Sequence, residues 1–252
     1  LDSKIELNQQ INKNLERIGQ AIFNHWLIDF EFPNEKGKPY KTNGGEMFYN
    51  EELEKDVPTN CEVKPLDKIA GFLNGLPLQK YHAEIEDKSL PVIKIRELRQ
   101  GITNSSDRCS TNLPEEYIIN DGDIIFSWSG SLDVVIWCNG KGGLNQHLFK
   151  VKSDEYPKWF YYFWVKYHLP NFQHIAEGKA TTMGHIQRHH LTESPVISPP
   201  KEVLEQMNRI MVPLFERIIN ARVESKILAQ IRDLLLPKLM SGKIRVPVEV
   251  KT

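Results

Sequence analysis

Residues 202–240 read EVLEQMNRIMVPLFERIINARVESKILAQIRDLLLPKLM. Leu204, Met207, Met211, Leu214, Ile218, Ala221, Ser225, Leu228 and Leu235 follow steps of three and four or their sum, with Ile231 one place off the strict rhythm. That spacing lays one apolar stripe along a helix, with a long seam for a partner helix. A helix from Glu202 to Met240 is on the order of 55–60 Å long at 1.5 Å per residue. A rod of that length is not stable with its seam in water, so the sequence demands something to cover it. Pro213, which lacks an amide hydrogen, predicts a kink or interruption early in the rod, and Ser241-Gly242 predicts its end.

The other end of the chain offers a partner. Over residues 1–31 the apolar positions Leu7, Ile11, Leu15, Ile18, Ile22 and Trp26 recur at intervals of three or four, and Lys4, Glu6, Asn8, Gln9, Asn12, Lys13 and Arg17 fall on the other faces. This is the pattern of a second amphipathic helix. Residues 32–61 read as a linker, since Pro33, Gly37, Pro39, Gly44 and Gly45 break any helix. Residues 62–200 change character to short apolar runs between turn residues. PVIKIREL (91–98), DIIFSWSG (123–130), LDVVIWC (132–138) and QHLFKVK (146–152) predict strands, with Asp121-Gly122 and Asn139-Gly140 as turns. PKWFYYFWVKYHL (157–169) predicts a buried aromatic helix. The expected fold is therefore α+β. One mixed α/β globular domain occupies residues 62–200, and helices at 1–31 and 201–243 pair antiparallel as a coiled-coil spacer, followed by a tail at 244–252.

The 252 residues carry 32 basic and 33 acidic side chains, and their apolar runs fall short of the roughly 20 residues of a membrane span. No secretory signal opens the chain, so a soluble, intracellular protein is expected. Cys61, Cys109 and Cys138 contain no C-x-x-C pair, which argues against a disulfide scaffold or a cysteine zinc site. The near-neutral total hides a gradient. Residues 1–60 carry net −4 and residues 201–252 net +4, while residues 141–190 hold seven basic groups against three acidic ones and six of the eight histidines. A local excess of that kind can face a phosphate backbone.

Catalytic patterns are missing. His185 and His189 have helical zinc spacing but no H-E-x-x-H, Asp121 and Asp123 flank a turn glycine, and there is no phosphate loop, dinucleotide fingerprint or nucleophile elbow. Binding chemistry is better represented, in three clusters. EGKATTMGHIQRHHL (177–191) offers Lys179, Thr181, Thr182, His185, Gln187, Arg188 and His189. A second group is Lys94, Arg96, Arg99 and Gln100, and a third is the GGLNQH segment with Asn145, Gln146 and His147. Such side chains hold phosphates and read base edges.

Several segments together resemble the specificity subunit of type I restriction-modification systems. They are residues 1–34, DGDIIFSWSG (121–130), GGLNQHLF (142–149), TTMGHIQRHHL (181–191) leading into SPPKEVLEQMNRI (198–210), and IRDLLLPKLMSGKIRV (231–246). The resemblance implies one target recognition domain between a central and a distal helix, reading one half-site of a bipartite double-stranded DNA target. It implies no catalytic residue, metal or cofactor in this chain. S-adenosylmethionine would belong to partner methyltransferase subunits, and ATP and Mg to a translocating restriction subunit. A cytoplasmic protein without membrane contact follows, with Phe23, Trp26, Leu234 and Leu239 as candidates for the docking surface. The pattern departs from a full subunit by lacking the first recognition domain, which suggests a fragment or a half-subunit forming a homodimer through the long helices. Cys61 also stands where the family pattern suggests Trp. A non-reading assembly scaffold and a hydrolase with an unrecognised site are the other two readings.

Overall fold

A computed structural model describes residues 1–83, 88–178 and 184–244. Helix α1 (Asp2–Phe23) continues into a π-helical turn at Asn24–Ile28, and α6 (Lys201–Met240) closes the chain. Between them lie twelve strands, β1 (Met47–Asn50), β2 (Lys55–Pro58), β3 (Glu62–Pro65), β4 (Gly71–Asn74), β5 (Ser89–Ile93), β6 (Arg108–Ser110), β7 (Ile118–Ile119), β8 (Ile124–Ser127), β9 (Asp133–Ile136), β10 (Gly142–Leu144), β11 (Leu148–Lys152) and β12 (Pro195–Ser198). The remaining α-helices are α2 (Leu66–Ile69), α3 (Ile95–Gln100), α4 (Lys158–Gly178) and α5 (Arg188–Thr192). The chain is thus a mixed helix and sheet domain flanked by two long helices, as the sequence predicts.

The central sheet runs β4-β11-β8-β9 and is antiparallel throughout. Its alternation places Ile124, Phe126, Val134, Ile136, Phe149 and Val151 in the main core, with α4, while Ile125 and Leu148 point the other way into a second core. Both faces are buried, which is why DIIF is a continuous apolar run rather than an alternating one. The second core is completed by Ile93, Ile119, Trp137 and Leu144, from or beside a second sheet of order β6-β5-β10-β7. There β10 is parallel to β5 and antiparallel to β7, and a Cβ on Gly143 would lie 2.8 Å from Leu78 and 2.9 Å from Cys109. The two glycines of GGL are strand residues that permit this close packing, not binding residues.

The long helices pair antiparallel. Asp2 meets Arg232 at 2.8 Å, the Asn8 amide donates to Glu224 at 2.8 Å, and Glu16 pairs with Arg222. On α6, Met207, Met211, Leu214, Ile218 and Ala221 are buried as predicted, while Leu235 and Ile231 lie exposed beyond the cover of α1. On α1 the inward face is the predicted one only in part: Leu15, Ile22 and Trp26 pack against the main core, but the most buried positions lie to one side of the predicted stripe. Asn8, Asn12, Gly19 and Phe23 are buried, whereas Leu7 and Ile18 are each 49% exposed. Gly19 explains this: a Cβ there would lie 2.9 Å from the Phe163 ring, so α1 approaches through its residue without a side chain and turns by about one position, roughly 100°. Phe23 therefore belongs to the core and Trp26 packs against it, and neither is a spare docking residue.

Three further predictions are corrected. Pro213 does not interrupt α6, which runs through it with the proline on the exposed side of the helix. The segment 91–98 is not one strand: β5 stops at Ile93 and α3 begins at Ile95, because Glu97 Oε2 accepts the Lys94 amide at 3.1 Å as in a helix N-terminal capping interaction. The linker 32–61 holds the β1-β2 hairpin, and Phe32 and Val57 anchor it in the core. The two turn signals are present as positive φ at Gly122 (88°) and Gly140 (87°), joined by the Gly140 amide donating to Asp121 at 2.6 Å. The three cysteines are free and buried, and burial pushes the Cys61 thiol up to about 12 and the Cys109 thiol up to about 11.

His168 lies inside this framework, 8% exposed, and its Nε2 donates to the Pro195 carbonyl at 2.9 Å. Burial lowers its pKa from 6.5, outweighing the opposing pull of that carbonyl. The native state thus binds fewer protons than the unfolded chain just below that value, so the stability it contributes is complete above 6.5 and lost as pH falls toward the folded value. His168→Gln, which keeps a donor for Pro195 but does not titrate, is expected to flatten the decline of the thermal midpoint between pH 7.5 and 5.5 relative to the unaltered chain. Parallel declines would count against it.

Candidate nucleic-acid interface

The central sheet ends in loops, and three segments from distant parts of the sequence meet at one of its ends. The first is Trp128–Ser131, which follows β8. The second is the turn Asn145–His147 between β10 and β11, and the third is the stretch Gly184–Arg188 entering α5. Gly130 donates to Gly184 O at 2.8 Å and Ile186 to Trp128 O at 3.0 Å, and Ser129 and His185 form a β-bridge. Trp128 stands at the centre. Its indole N–H donates to Asn74 Oδ1 at 2.9 Å, and its ring centroid lies 5.7 Å from Phe149, 6.1 Å from His147 and 6.3 Å from His185. Buried Ser129 places its Oγ 3.1 Å from His147 Nδ1.

The structure sorts the sequence candidates by what each side chain already does. His147 and His185 flank Trp128, and the Gln146 side chain lies beside His147. Asn145 lies in the same turn but is buried, its Oδ1 accepting the His147 amide at 3.3 Å, so it shapes the turn. Gln187 caps α5. Arg188 donates to Phe72 O at 3.2 Å and lies 5.5 Å above the Phe149 ring, which ties α5 to the sheet and leaves part of the guanidinium fork for other partners. His189 is exposed, 4.0 Å from the ring of His190. Lys179, Thr181 and Thr182 lie outside the described residues.

The second cluster divides. Lys94 is ion-paired with Asp107, and Arg96 bonds Glu97 at 2.8 Å and Ser105 O at 2.9 Å, so these two charges tie down the segment after α3. Arg99 and Gln100 are exposed. Arg99 lines a cleft together with Gly130, Ser131 and Gly184, and so borders the loops around Trp128. The sequence reading missed Trp128, Ser129 and Asn74. The signal was present in DIIFSWSG, where an indole and two hydroxyls end an otherwise apolar strand.

His189, His190 and Glu193 bring ligand atoms within 4.8 Å of one another. His190 Nδ1 accepts the Gln187 amide at 2.9 Å, so in the neutral ring its Nε2 carries the proton and neither nitrogen offers a free lone pair. Only two exposed ligands then remain, short of the three or four that hold zinc in a protein. Asp121 and Asp123 are turn formers: Asp123 Oδ2 accepts the Asn120 amide at 2.8 Å and pairs with Lys150 at 3.1 Å. Among the described residues no helix is long and apolar enough to cross a membrane.

Comparison with known proteins bears on the same surface. The family model described as the type I restriction modification DNA specificity domain matches residues 58–232. The chain belongs to that family. The match takes in all three loops around Trp128 and most of α6. Among curated relatives, the type I restriction enzyme MjaIX specificity subunit of Methanocaldococcus jannaschii is 29% identical, with 97% of this chain and 56% of that protein covered. The HindI specificity subunit of Haemophilus influenzae is 26% identical over 97% of this chain and 65% of its own length. A solved type I restriction-modification S subunit from M. genitalium aligns with a TM-score of 0.52 at 15% identity, covering 94% of this chain and 55% of that one, which supports the fold. The specificity-domain chain spans a little over half the length of the first of these relatives. The family is defined by DNA specificity, which fits a recognition subunit without catalytic groups of its own.

Glu97 tests the division of roles within the second cluster. Its side chain is 1% exposed, and burial raises its pKa, but hydrogen bonds from the Arg96 guanidinium, the Ser106 hydroxyl and the Lys94 amide outweigh that and hold it below the usual 4.5. The stability so gained is present above pH 4.5 and lost as pH falls through the lower folded value. Glu97→Ala is expected to cost roughly 1–3 kcal/mol at pH 7 in denaturant unfolding, by stranding those donors. A cost below about 0.5 kcal/mol, the scatter of ordinary surface changes, would mean that the cluster is not structural.

Proposed function

We propose that this chain is the DNA-reading subunit of a type I restriction-modification complex, in which its globular domain reads one half-site of a bipartite duplex target. The observation that carries this reading is the convergence of Gln146, His147, His185 and Arg188 on the Trp128 loop, with Arg99 at its border. Together they offer hydrogen-bonding side chains for base edges and cations for phosphate. His189 is assigned to the same surface, while Lys94, Arg96, Asn145 and Gln187 act by holding it in shape. The antiparallel α1–α6 pair serves as a spacer, so the distance between half-sites follows from helix length, as protein geometry fixes half-site spacing in other two-fold readers.

The second half-site requires a second domain. It comes either from the remainder of a longer subunit, in keeping with relatives nearly twice this length, or from a second copy of the chain paired through the helices. Chemistry belongs to partners: methylation subunits using S-adenosylmethionine, and a translocating restriction subunit using ATP and Mg. The methylation subunits are assigned to the outer apolar positions of the helix pair, where Leu234 is 65% and Leu239 38% exposed.

Selection of random duplexes with the chain and its methylation subunits is expected to enrich a short motif. Retention that is blind to sequence and falls only with salt would instead favour a non-reading scaffold. The chain alone with Mg²⁺ is expected to leave duplex DNA uncut, and reproducible cleavage would overturn the recognition-only role. Leu234→Glu with Leu239→Glu is expected to abolish co-purification with the methylation subunits while leaving the thermal midpoint of the free chain unchanged, because both side chains are in water. Retained co-purification would move the docking surface elsewhere.

A further inference from the structure

The turn Asn145–His147 contains a hydrogen-bonded relay that constrains one side chain more tightly than its neighbours. Asn145 is fixed from both sides: its amide donates to Ile93 O at 3.2 Å and its carbonyl accepts the Leu148 amide at 3.0 Å. His147 then lies between two partners. Ser129 Oγ is 3.1 Å from Nδ1, and the Gln146 side-chain nitrogen is 3.4 Å from Nε2. An amide NH₂ group only donates, so the Nε2 facing it is the unprotonated nitrogen of the neutral ring. The proton therefore sits on Nδ1 and is donated to Ser129 Oγ. Ser129 is itself 3% exposed and bridged to His185, so the relay is anchored in the sheet end and not in a free loop.

The consequence falls on Gln146. One of its two N–H bonds is committed to His147, leaving its Oε1 and second N–H as an adjacent acceptor and donor on one planar group. That pair matches the N6–H and N7 edge of adenine in the major groove. An unconstrained glutamine presents the reversed pattern as readily, by flipping its amide through 180°. Here the flip would require the His147 proton to move from Nδ1 to Nε2 and the Ser129 hydroxyl to turn and donate to Nδ1, so the orientation of the Gln146 amide is coupled to the tautomer of His147.

We propose that Gln146 reads an adenine edge in the target and that His147 is the positioning residue that sets the orientation of the Gln146 amide. This rests on the DNA-reading function given above and adds the base that is read and the group that enforces it. His147 need not touch DNA in this role. Its removal costs discrimination at one base pair only, and not general affinity, since no phosphate contact is lost.

Two measurements test the proposal. Nitrogen-15 NMR of the free chain, at a pH where His147 is neutral, is expected to find its Nδ1–H tautomer, and an Nε2–H tautomer would overturn the relay without any reference to DNA. Duplex selection with the chain and its methylation subunits is then run on the unaltered protein, Gln146→Ala, His147→Ala and His147→Gln. Gln146→Ala and His147→Ala are expected to lose roughly tenfold preference for an A·T pair at one shared position, with other positions, salt dependence and thermal midpoint unchanged. His147→Gln, whose amide can accept from Gln146 and donate to Ser129, is expected to restore the preference. The proposal alone is overturned if the motif survives Gln146→Ala, if the position lost is not A·T, or if His147→Ala keeps that position or flattens all positions together. An unaltered protein that selects no motif overturns the DNA-reading function itself, and this proposal with it.

Discussion

Phe23 of α1 stacks on Phe163 of α4 with ring centroids 5.4 Å apart and meets Trp164 edge-on at 5.1 Å, and Phe215 of α6 closes the cluster against Phe163 at 5.6 Å. These rings come from the first helix, the middle domain and the last helix, so one joint fixes how the middle domain is carried on the helix pair. Each aromatic contact adds about 0.5–1.5 kcal/mol beyond the burial of its area. The geometry also depends on Gly19, whose missing side chain admits the Phe163 ring between α1 and α4. In the spacer role proposed above, the helix pair measures distance only if the objects at its ends do not swivel. A joint of interlocked rings in a close-packed core meets that requirement better than a polar hinge would.

The same requirement explains why the candidate reading surface is made of loops on a sheet buried on both faces. With Ile124 and Phe126 in one core and Ile125 and Leu148 in another, the central strands have little freedom to shift register, since a slip of one residue would exchange the two cores. The loops that leave them inherit that rigidity at their roots. Trp128 extends it outward through its bond to Asn74 and its packing on Phe149. Sequence can then vary at the loop tips while the frame stays fixed, as suits a recognition domain.

Much of the frame was legible because it is written in local periodicity. The α6 stripe, the strand at 124–127, the aromatic helix and the Asp-Gly and Asn-Gly turns all carry their signal within a few neighbouring residues. What was not legible depends on contacts between distant residues. Nothing local says that α1 presents Asn8 and Gly19 inward in place of Leu7 and Ile18, because the reason is Phe163, 144 positions away. The hairpin at 47–58 was hidden for a similar reason, since Val57 becomes a core residue only once the domain is assembled. For the site, residue type singled out Gln146 and His147 in one cluster and His185 in another, and only the fold brings the two segments together at Trp128 and Ser129. Type alone could not separate Lys94 and Arg96, whose charges are spent on Asp107 and Glu97, from an exposed Arg99.

The seam of the helix pair is not built for greatest stability on its own. Asn8 and Asn12 occupy buried positions, 0% and 7% exposed, and the Oδ1 of each has no hydrogen-bond partner among the described residues, while Leu7 and Ile18 stand in water nearby. An unpartnered buried acceptor costs about 1–3 kcal/mol, and apolar side chains at the same places would do better. The pair is therefore held mainly by the aromatic joint and by the buried α6 stripe of Met211, Leu214, Ile218 and Ala221, and the exposed Asp2–Arg232 bridge adds little. A helix pair with polar groups inside and leucines outside gains when something packs on its outer face. That partner's binding energy then adds to the stability of the free chain through mass action. Under the proposed function the helix pair would thus be most rigid in the assembled complex, where the distance between half-sites would be set.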